Sequence, residues 1–284
     1  MGLNDAPPPG VTLGRTRGTP QWARVARMLL VRSLALLLAP VAGAGAETRF
    51  MNRTVVVDGV AHRYQVYVPA AYSPKRAWPL MLCLHGSGER GTDGLLQTRI
   101  GFGAALRRDA GRTPLIAVFP QAPPDTRWPG ASSRLALAAL DATLREFRCD
   151  SDRVYLTGLS MGGNGAWYLA YRDPDRFAAV LVACGWVNPN PAHPTAEPVV
   201  PPEDGPAIPT LAQRLQHTPI WQYHGAQDDV IPPTDSRTLA AAFDSLGANA
   251  RYTELPTVGH ACWDSAYASP DVMRWLMAQH RGER

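Results

Sequence analysis

An α/β fold, with a mostly parallel sheet, an N-terminal antiparallel hairpin and helices on both faces, is predicted by three observations. Short apolar, β-branched runs alternate with helix-periodic runs along most of the chain. Two strand-like runs near the front are separated by the turn dipeptide Asp58-Gly59. Finally, the apolar run 153–157 enters Gly158-Leu159-Ser160-Met161-Gly162 and leaves it in a helix-friendly segment rich in Ala, Trp and Leu.

Each element follows from its local pattern. Residues 54–57 and 64–68 form the hairpin at the sheet edge, and 79–84 is a third, continuously apolar strand ending in His85-Gly86-Ser87-Gly88-Glu89-Arg90-Gly91. A helix at 101–108 and a strand at 114–119 come next. Residues 133–147 carry Ala, Leu and Arg at helical spacing. Strand 153–157, helix 163–171 and strand 178–183 continue the alternation. Residues 187–209 interrupt it, because Pro189, Pro191, Pro194, Pro198, Pro201, Pro202, Pro206 and Pro209 exclude a regular helix or central strand. A long loop over one face is expected there. The rhythm resumes with strand 219–223, helix 235–246, strand 250–255 and helix 271–279. With no internal repeat, one domain over 47–284 follows a leader over 1–46.

Composition narrows the classes. The chain has 284 residues, 45% hydrophobic and 18% charged, and a formal charge of +4. Arg15, Arg17, Arg24, Arg27 and Arg32 stand against Asp5 alone in the leader, so the remainder nets to zero. A neutral body removes the electrostatic case for nucleic acid. Residues 28–46 read as a secretory signal: Arg32 ends a basic region, 33–41 is apolar, and Ala44-Gly45-Ala46 is a small-residue cleavage site. Release after Ala46 would make the protein secreted or periplasmic. Arg32 and Pro40 interrupt a span already too short for the membrane, leaving an uncleaved anchor as the alternative. Residues 1–27, rich in Pro, Gly and Arg, suggest either a start at Met28 or a disordered leader.

The chemistry rests on order along the chain. A serine on a strained strand-to-helix turn needs a base to take its proton and a carboxylate to orient that base. In this strand–turn–helix context the acid follows the serine and the histidine comes last. Strand 219–223 ends in His224-Gly225-Ala226-Gln227-Asp228-Asp229, supplying the acid, and Val258-Gly259-His260 follows the next strand. Ser160, Asp228 and His260 then meet at strand carboxyl ends, where open α/β sheets place their sites. The oxyanion donors are assigned to the N–H groups of Met161 and, in the loop after the third strand, Ser87. His85 and His224 are read as loop-holding rather than catalytic, and Asp229 as a solvated or capping acid. Trp128, Trp186 and Trp263 are candidates for lining an acyl or aromatic pocket, with ordinary packing as the competing reading.

Two other chemistries are considered. Gly86-Ser87-Gly88-Glu89-Arg90-Gly91 satisfies the dinucleotide-binding spacing, but no helix follows at once and Asp109 precedes a strand, so no cofactor is expected. Cys83, Cys149, Cys184 and Cys262 show no zinc-like spacing, and no metal is expected. Cys83 reads as a buried free thiol, whereas Cys184 and Cys262, both near the proposed site, would permit a bridge.

The set V-D-G-V-A-H-R-Y-Q-V-Y-V-P, L-H-G-S-G-E-R-G, D-R-V-Y-L-T-G-L-S-M-G-G, H-G-A-Q-D-D-V-I-P and V-G-H-A-C-W-D, over about residues 54–280, resembles bacterial α/β-hydrolases of the phospholipase/carboxylesterase-type and prolyl-oligopeptidase-like group, including feruloyl and polyhydroxybutyrate-depolymerase-like esterases. The resemblance implies the α/β-hydrolase fold, no metal or organic cofactor, and nucleophile, acid and base on Ser160, Asp228 and His260. The Pro-rich stretch 187–209 and Ala261-Cys262 depart from that pattern. The expectation is an exported serine hydrolase acting on small or polymeric carboxylic esters through an acyl-enzyme. A peptidase acting on small peptides is the enzymatic alternative, and a non-catalytic binding protein on the same fold is the other.

Overall fold

The computed structural model describes residues 49–109, 111, 113–195 and 197–282. The leader 1–46, its signal segment and the cleavage point after Ala46 lie outside the described residues. The hairpin comes first, as β1 (Arg49–Val57) and β2 (Val60–Val68), antiparallel with Val57 opposite Val60. Asp58 and Gly59, the two connecting residues, have φ of 50° and 78°. Positive φ at both positions is what a two-residue type I′ turn demands, and Asp and Gly tolerate it. Then come β3 (Trp78–Leu84), α1 (Gly101–Arg108), β4 (Ile116–Pro120), α2 (Ser133–Glu146), β5 (Cys149–Leu159), α3 (Met161–Arg172) and β6 (Ala179–Ala183). The chain closes with α4 (Ala207–Arg214), β7 (Ile220–Gly225), α5 (Thr234–Ser245), β8 (Ala250–Leu255), α6 (Trp263–Ala268) and α7 (Pro270–Met277).

All eight strands join one sheet in the order β1-β2-β4-β3-β5-β6-β7-β8. β2 runs antiparallel to β4, and every pairing from β4 to β8 is parallel. Alternation along the inner strands divides the core in two. Leu80, Leu82, Val118, Leu156, Val180 and Ile220 point to one face, where residues of α2, α3, α4 and α5 cover them. Met81, Cys83, Ala117, Phe119, Tyr155 and Leu181 point to the other, under α1, α6 and α7. Strands buried on both faces have to be apolar at every position, which is why β3, β4 and β6 read as unbroken apolar runs.

The structure corrects the sequence at three places. The loop expected over 187–209 ends early, because residues 207–209 already belong to α4. Pro209 is tolerated there because it falls in the first helical turn, where a backbone N–H has no intrahelical acceptor. Like α4, helix α6 is absent from the predicted elements; its six residues are too few to display a 3.6-residue period. The third concerns β5, which begins at Cys149 rather than 153 because Cys149 pairs with Trp78 across an irregularity in register.

The Pro-rich excursion is tied to the body. Val187 and Asn188 N–H groups both donate to Asp235 Oδ2 at 2.8 Å, and the hydroxyls of Tyr168 and Tyr171 on α3 reach Glu197 and Asp204. Val199 and Val200 are buried. Among the described residues no helix is long and apolar enough to cross a membrane.

Candidate active site

Ser160 occupies the joint between β5 and α3 with φ 52° and ψ −119°, backbone angles that a non-glycine residue adopts at a cost of about 1–3 kcal/mol. Two close approaches hold it there. A Cβ on Gly158 would stand 2.0 Å from Gly162 O, and one on Gly162 would stand 2.1 Å from Leu84 O. Glycine at both positions is therefore a steric requirement. The Ser160 N–H donates to Ala183 O on β6 at 2.9 Å, anchoring the strained residue to its neighbouring strand.

The loop after β8 brings His260 to this serine. His260 Nε2 lies 2.9 Å from Ser160 Oγ, and Nδ1 lies 2.7 Å from Asp228 Oδ2, in the loop after β7. The approach of these two loops depends on Gly225, whose Cβ would meet Gly259 O at 2.1 Å. Asp228 is buried, and burial by itself would raise its carboxyl. Hydrogen bonds from His224, His260 and the Ile231 N–H outweigh that effect and hold it well below the usual carboxylate range. Its Oδ1 accepts from the N–H groups of Val230 and Ile231 at 3.0 and 2.8 Å. Its Oδ2 faces two histidines.

The second of these, His224, is fully buried, with Nε2 at 2.8 Å from Ile231 O and 3.2 Å from Asp228 Oδ2. Both neighbours only accept, so Nε2 carries a proton shared between them. Ser236 Oγ at 2.8 Å serves Nδ1. Asp228 thus receives a donor on every side, and its orientation is set before His260 arrives. The sequence reading of His224 as a loop-holding residue misses this contact. The only signal available was its place four residues before Asp228.

On the opposite side, Ser87 begins a short 3₁₀ turn, Ser87–Glu89, and Met161 begins α3. Each is the first residue of its helical turn, so neither N–H has an acceptor within the turn. A Cβ on Gly86 would lie 3.7 Å from Ser160 Cβ, which places this loop against the serine. His85 determines how the loop is held. The Ala122 N–H donates to its Nε2 at 2.9 Å, so the ring proton sits on Nδ1 and is donated to Gly86 O at 2.6 Å. Fixing Gly86 C=O fixes the Ser87 N–H of the same peptide plane. Burial lowers the His85 imidazole from 6.5 to about 4 and keeps it neutral.

The three tryptophans separate. Trp128 is fully buried, donates Nε1–H to His85 O at 2.9 Å and packs its ring on the His85 ring at 4.9 Å. It is a strut under the Ser87 loop, which corrects its reading as a pocket wall: an indole with no exposed surface has nothing to offer a ligand. Trp186 packs against His193 and lines a cavity of about 390 Å³ walled by the Pro-rich segment. Trp263 is half-buried and stands edge-on to His260 at 5.3 Å.

All four cysteines are free. Cys184 and Cys262 are buried neighbours that share the Tyr223 carbonyl, through the Cys184 N–H at 2.8 Å and the Cys262 thiol at 3.6 Å, as thiols rather than as the bridge the sequence permitted. The ligand atoms of Cys184, Asp228 and His260 fall within 4.8 Å of one another. Asp228 and His260 spend theirs on each other, however, and burial raises the Cys184 thiol and keeps it protonated. Such a set suits a hydrogen-bonded relay better than a metal ion. The glycine-rich loop 86–91 contains the 3₁₀ turn Ser87–Glu89, and the next α-helix begins only at Gly101, so the loop does not open a helix as the dinucleotide fingerprint does.

Residues 136–262 match the model of the Esterase family, described as putative esterase. The putative esterase NocK of Nocardia uniformis subsp. tsuyamanensis is 33% identical over 155 residues, 52% of this chain and 45% of that protein. The bifunctional acetylxylan esterase/xylanase XynS20E of Neocallimastix patriciarum is 24% identical over 185 residues, 61% of this chain and 22% of that protein. The chain thus spans less than half the length of these curated relatives. Among solved structures, a thermostable esterase superposes with a TM-score of 0.66 at 29% identity, over 81% of this chain and 63% of that one. A ferulic acid esterase gives 0.63 at 18% identity over 81% and 99%.

The buried, neutral His85 carries a pH signature. Its native form binds a proton only near pH 4, whereas the unfolded chain binds one near 6.5, so the unfolded state holds more protons between those values. Stability should therefore fall as pH drops from about 6.5 towards about 4, by up to roughly 3 kcal/mol from this group. Denaturant titrations across that range should show the loss, and His85→Asn should flatten it. An equally steep dependence in the variant would assign the effect elsewhere.

Proposed function

We propose that this chain, whose residues 136–262 match the Esterase family model and whose fold is that of the α/β-hydrolases, is a serine hydrolase cleaving carboxylic esters through an acyl-enzyme. The observation that carries the reading is the continuous relay Ser160 Oγ, His260 Nε2, His260 Nδ1, Asp228 Oδ2, with links of 2.9 and 2.7 Å. Ser160 Oγ attacks the ester carbonyl as its proton passes to His260 Nε2. Asp228 holds the Nδ1–H tautomer and stabilises the imidazolium. The alkoxide of the tetrahedral intermediate lies between the N–H groups of Ser87 and Met161, each donor worth about 3–4 kcal/mol. Collapse breaks the ester C–O bond, and His260 returns its proton to the departing alcohol. Water, deprotonated by His260, then attacks the acyl-enzyme and releases the acid with Ser160 restored.

His224 serves this relay as a positioning residue, because it gives Asp228 Oδ2 a second donor and stops the carboxylate rotating away from His260. Trp263 and the cavity beside Trp186 are the surfaces from which a substrate pocket would be built. We also infer export from the signal pattern in residues 28–46.

A fluorophosphonate should label the wild type and not Ser160→Ala. Asp228→Asn should lower kcat by roughly 10⁴-fold, with Asp229→Asn nearly unchanged. Label retained by Ser160→Ala, or a larger loss at Asp229, would overturn these assignments. His224→Phe should cost between about tenfold and the loss seen on removing the acid, and should move the acid limb of the rate–pH profile upward, since Asp228 then turns wholly on His260. His224→Gln, which keeps a donor, should recover much of both. A lowered plateau with an unmoved limb would reduce His224 to a folding role. For export, mass spectrometry of the extracytoplasmic protein should find Glu47 at the N-terminus, and a retained Met28 would refute cleavage.

A further inference from the structure

Two arginines stand at the rim of the candidate site without an acidic ion-pair partner among the described residues. Arg90, in the loop after β3, donates from Nε to Ser87 O at 2.9 Å and from Nη1 to Thr126 O at 3.5 Å. Arg127, the next residue after Thr126, donates from Nε to Pro194 O at 3.3 Å, and its Nη1 lies 3.9 Å from Met161 Sδ. Among the described residues neither has a carboxylate within ion-pair distance, whereas Arg53, Arg134, Arg153 and Arg237 each have one.

Their setting makes the missing counter-charge costly. Both side chains are half-buried. Burial, and then repulsion from Arg90, holds the Arg127 guanidinium below its ordinary value. Glu89, adjacent in sequence, does not pair with them: its carboxyl turns inward to the Gly86 N–H, within no ion-pair distance of either guanidinium, and burial raises its carboxyl above the ordinary value. The N–H groups left over on each guanidinium are suited to a carboxylate, which they can grip through paired bonds. The two cations also touch the two residues that flank the serine, Arg90 through the Ser87 carbonyl and Arg127 through the Met161 side chain.

We propose that Arg90 and Arg127 form an anion-binding rim beside Ser160, and that the ester taken here carries a carboxylate. The assignment rests on the ester-hydrolase reading and narrows its substrate class. The carboxylate could belong to the acyl half or to the alcohol half; the rim recognises the same chemistry in both, so the test has two arms.

For the acyl arm, kcat/KM is compared for the 4-nitrophenyl monoester of succinate and for neutral 4-nitrophenyl pentanoate. For the alcohol arm, 4-acetoxybenzoate is compared with 4-methylphenyl acetate. At about 20 mM ionic strength the anionic member of one arm should be preferred by at least about tenfold, and that ratio should shrink several-fold by about 0.5 M salt. Arg127→Gln should collapse the ratio, and Arg127→Lys should keep part of it. A variant that merely folds poorly lowers both rates together and leaves the ratio where it was. Ratios near one in both arms, or a ratio untouched by Arg127→Gln, would overturn the proposal. A measurement free of turnover separates the two readings: succinate should slow fluorophosphonate labelling of Ser160 more than neutral 1,4-butanediol does, and less so in Arg127→Gln. Protection without hydrolysis of any ester would refute the ester reading alone, and the absence of protection would refute the rim.

Discussion

The candidate site depends on how closely three stretches of backbone approach around Ser160. Gly158 and Gly162 leave no room for a Cβ against Gly162 O and Leu84 O, and Gly225 leaves none against Gly259 O. These contacts press the turn after β5 onto the end of β3, and the loop after β7 onto the loop after β8. The strained φ of Ser160 survives because β3, β5 and β6 surround it and its own N–H is bonded to β6. Strain of this kind persists only where the surroundings over-determine it. Here the parallel sheet supplies that over-determination, since its central strands are clamped between two apolar cores.

Electrostatics divides the site into a satisfied half and an unsatisfied half. Asp228 receives donors from Val230, Ile231, His224 and His260, so its buried charge is compensated and its direction set. His85 is kept neutral and spends both ring nitrogens on backbone, so that the Ser87 loop is held by a group that carries no competing charge. Arg90 and Arg127 are the contrast: cations at the same mouth with carbonyls and a thioether for company. Compensated charge characterises the fixed part of the candidate site, and the proposed anion-binding rim is the part where charge goes uncompensated.

The Pro-rich segment has a similar double character. Prolines keep it out of the sheet, yet Asp235, Tyr168 and Tyr171 fasten it to α5 and α3, and Val199 and Val200 bury themselves beneath it. It serves as a fixed wall beside Trp186 and, through Pro194, touches Arg127.

The α/β class, the hairpin and most element positions were legible in the sequence, because burial on both faces forces unbroken apolar strands and burial on one face forces a helical period. The order of Ser160, Asp228 and His260 was legible for a related reason: each follows a recognisable strand, and parallel strands deliver their carboxyl ends to one edge. Sequence by itself therefore determined which residues could meet. It could not show α6, too short for its period to appear, or α4 beginning inside a run of prolines. Nor could it show that Trp128 is buried under His85, that His224 turns towards Asp228, or that Arg90 and Arg127 have no carboxylate beside them among the described residues. Those outcomes depend on side-chain direction and on neighbours distant in sequence. Partners for a buried proton or an exposed charge exist only once the loops have been packed together, and tertiary structure alone decided them.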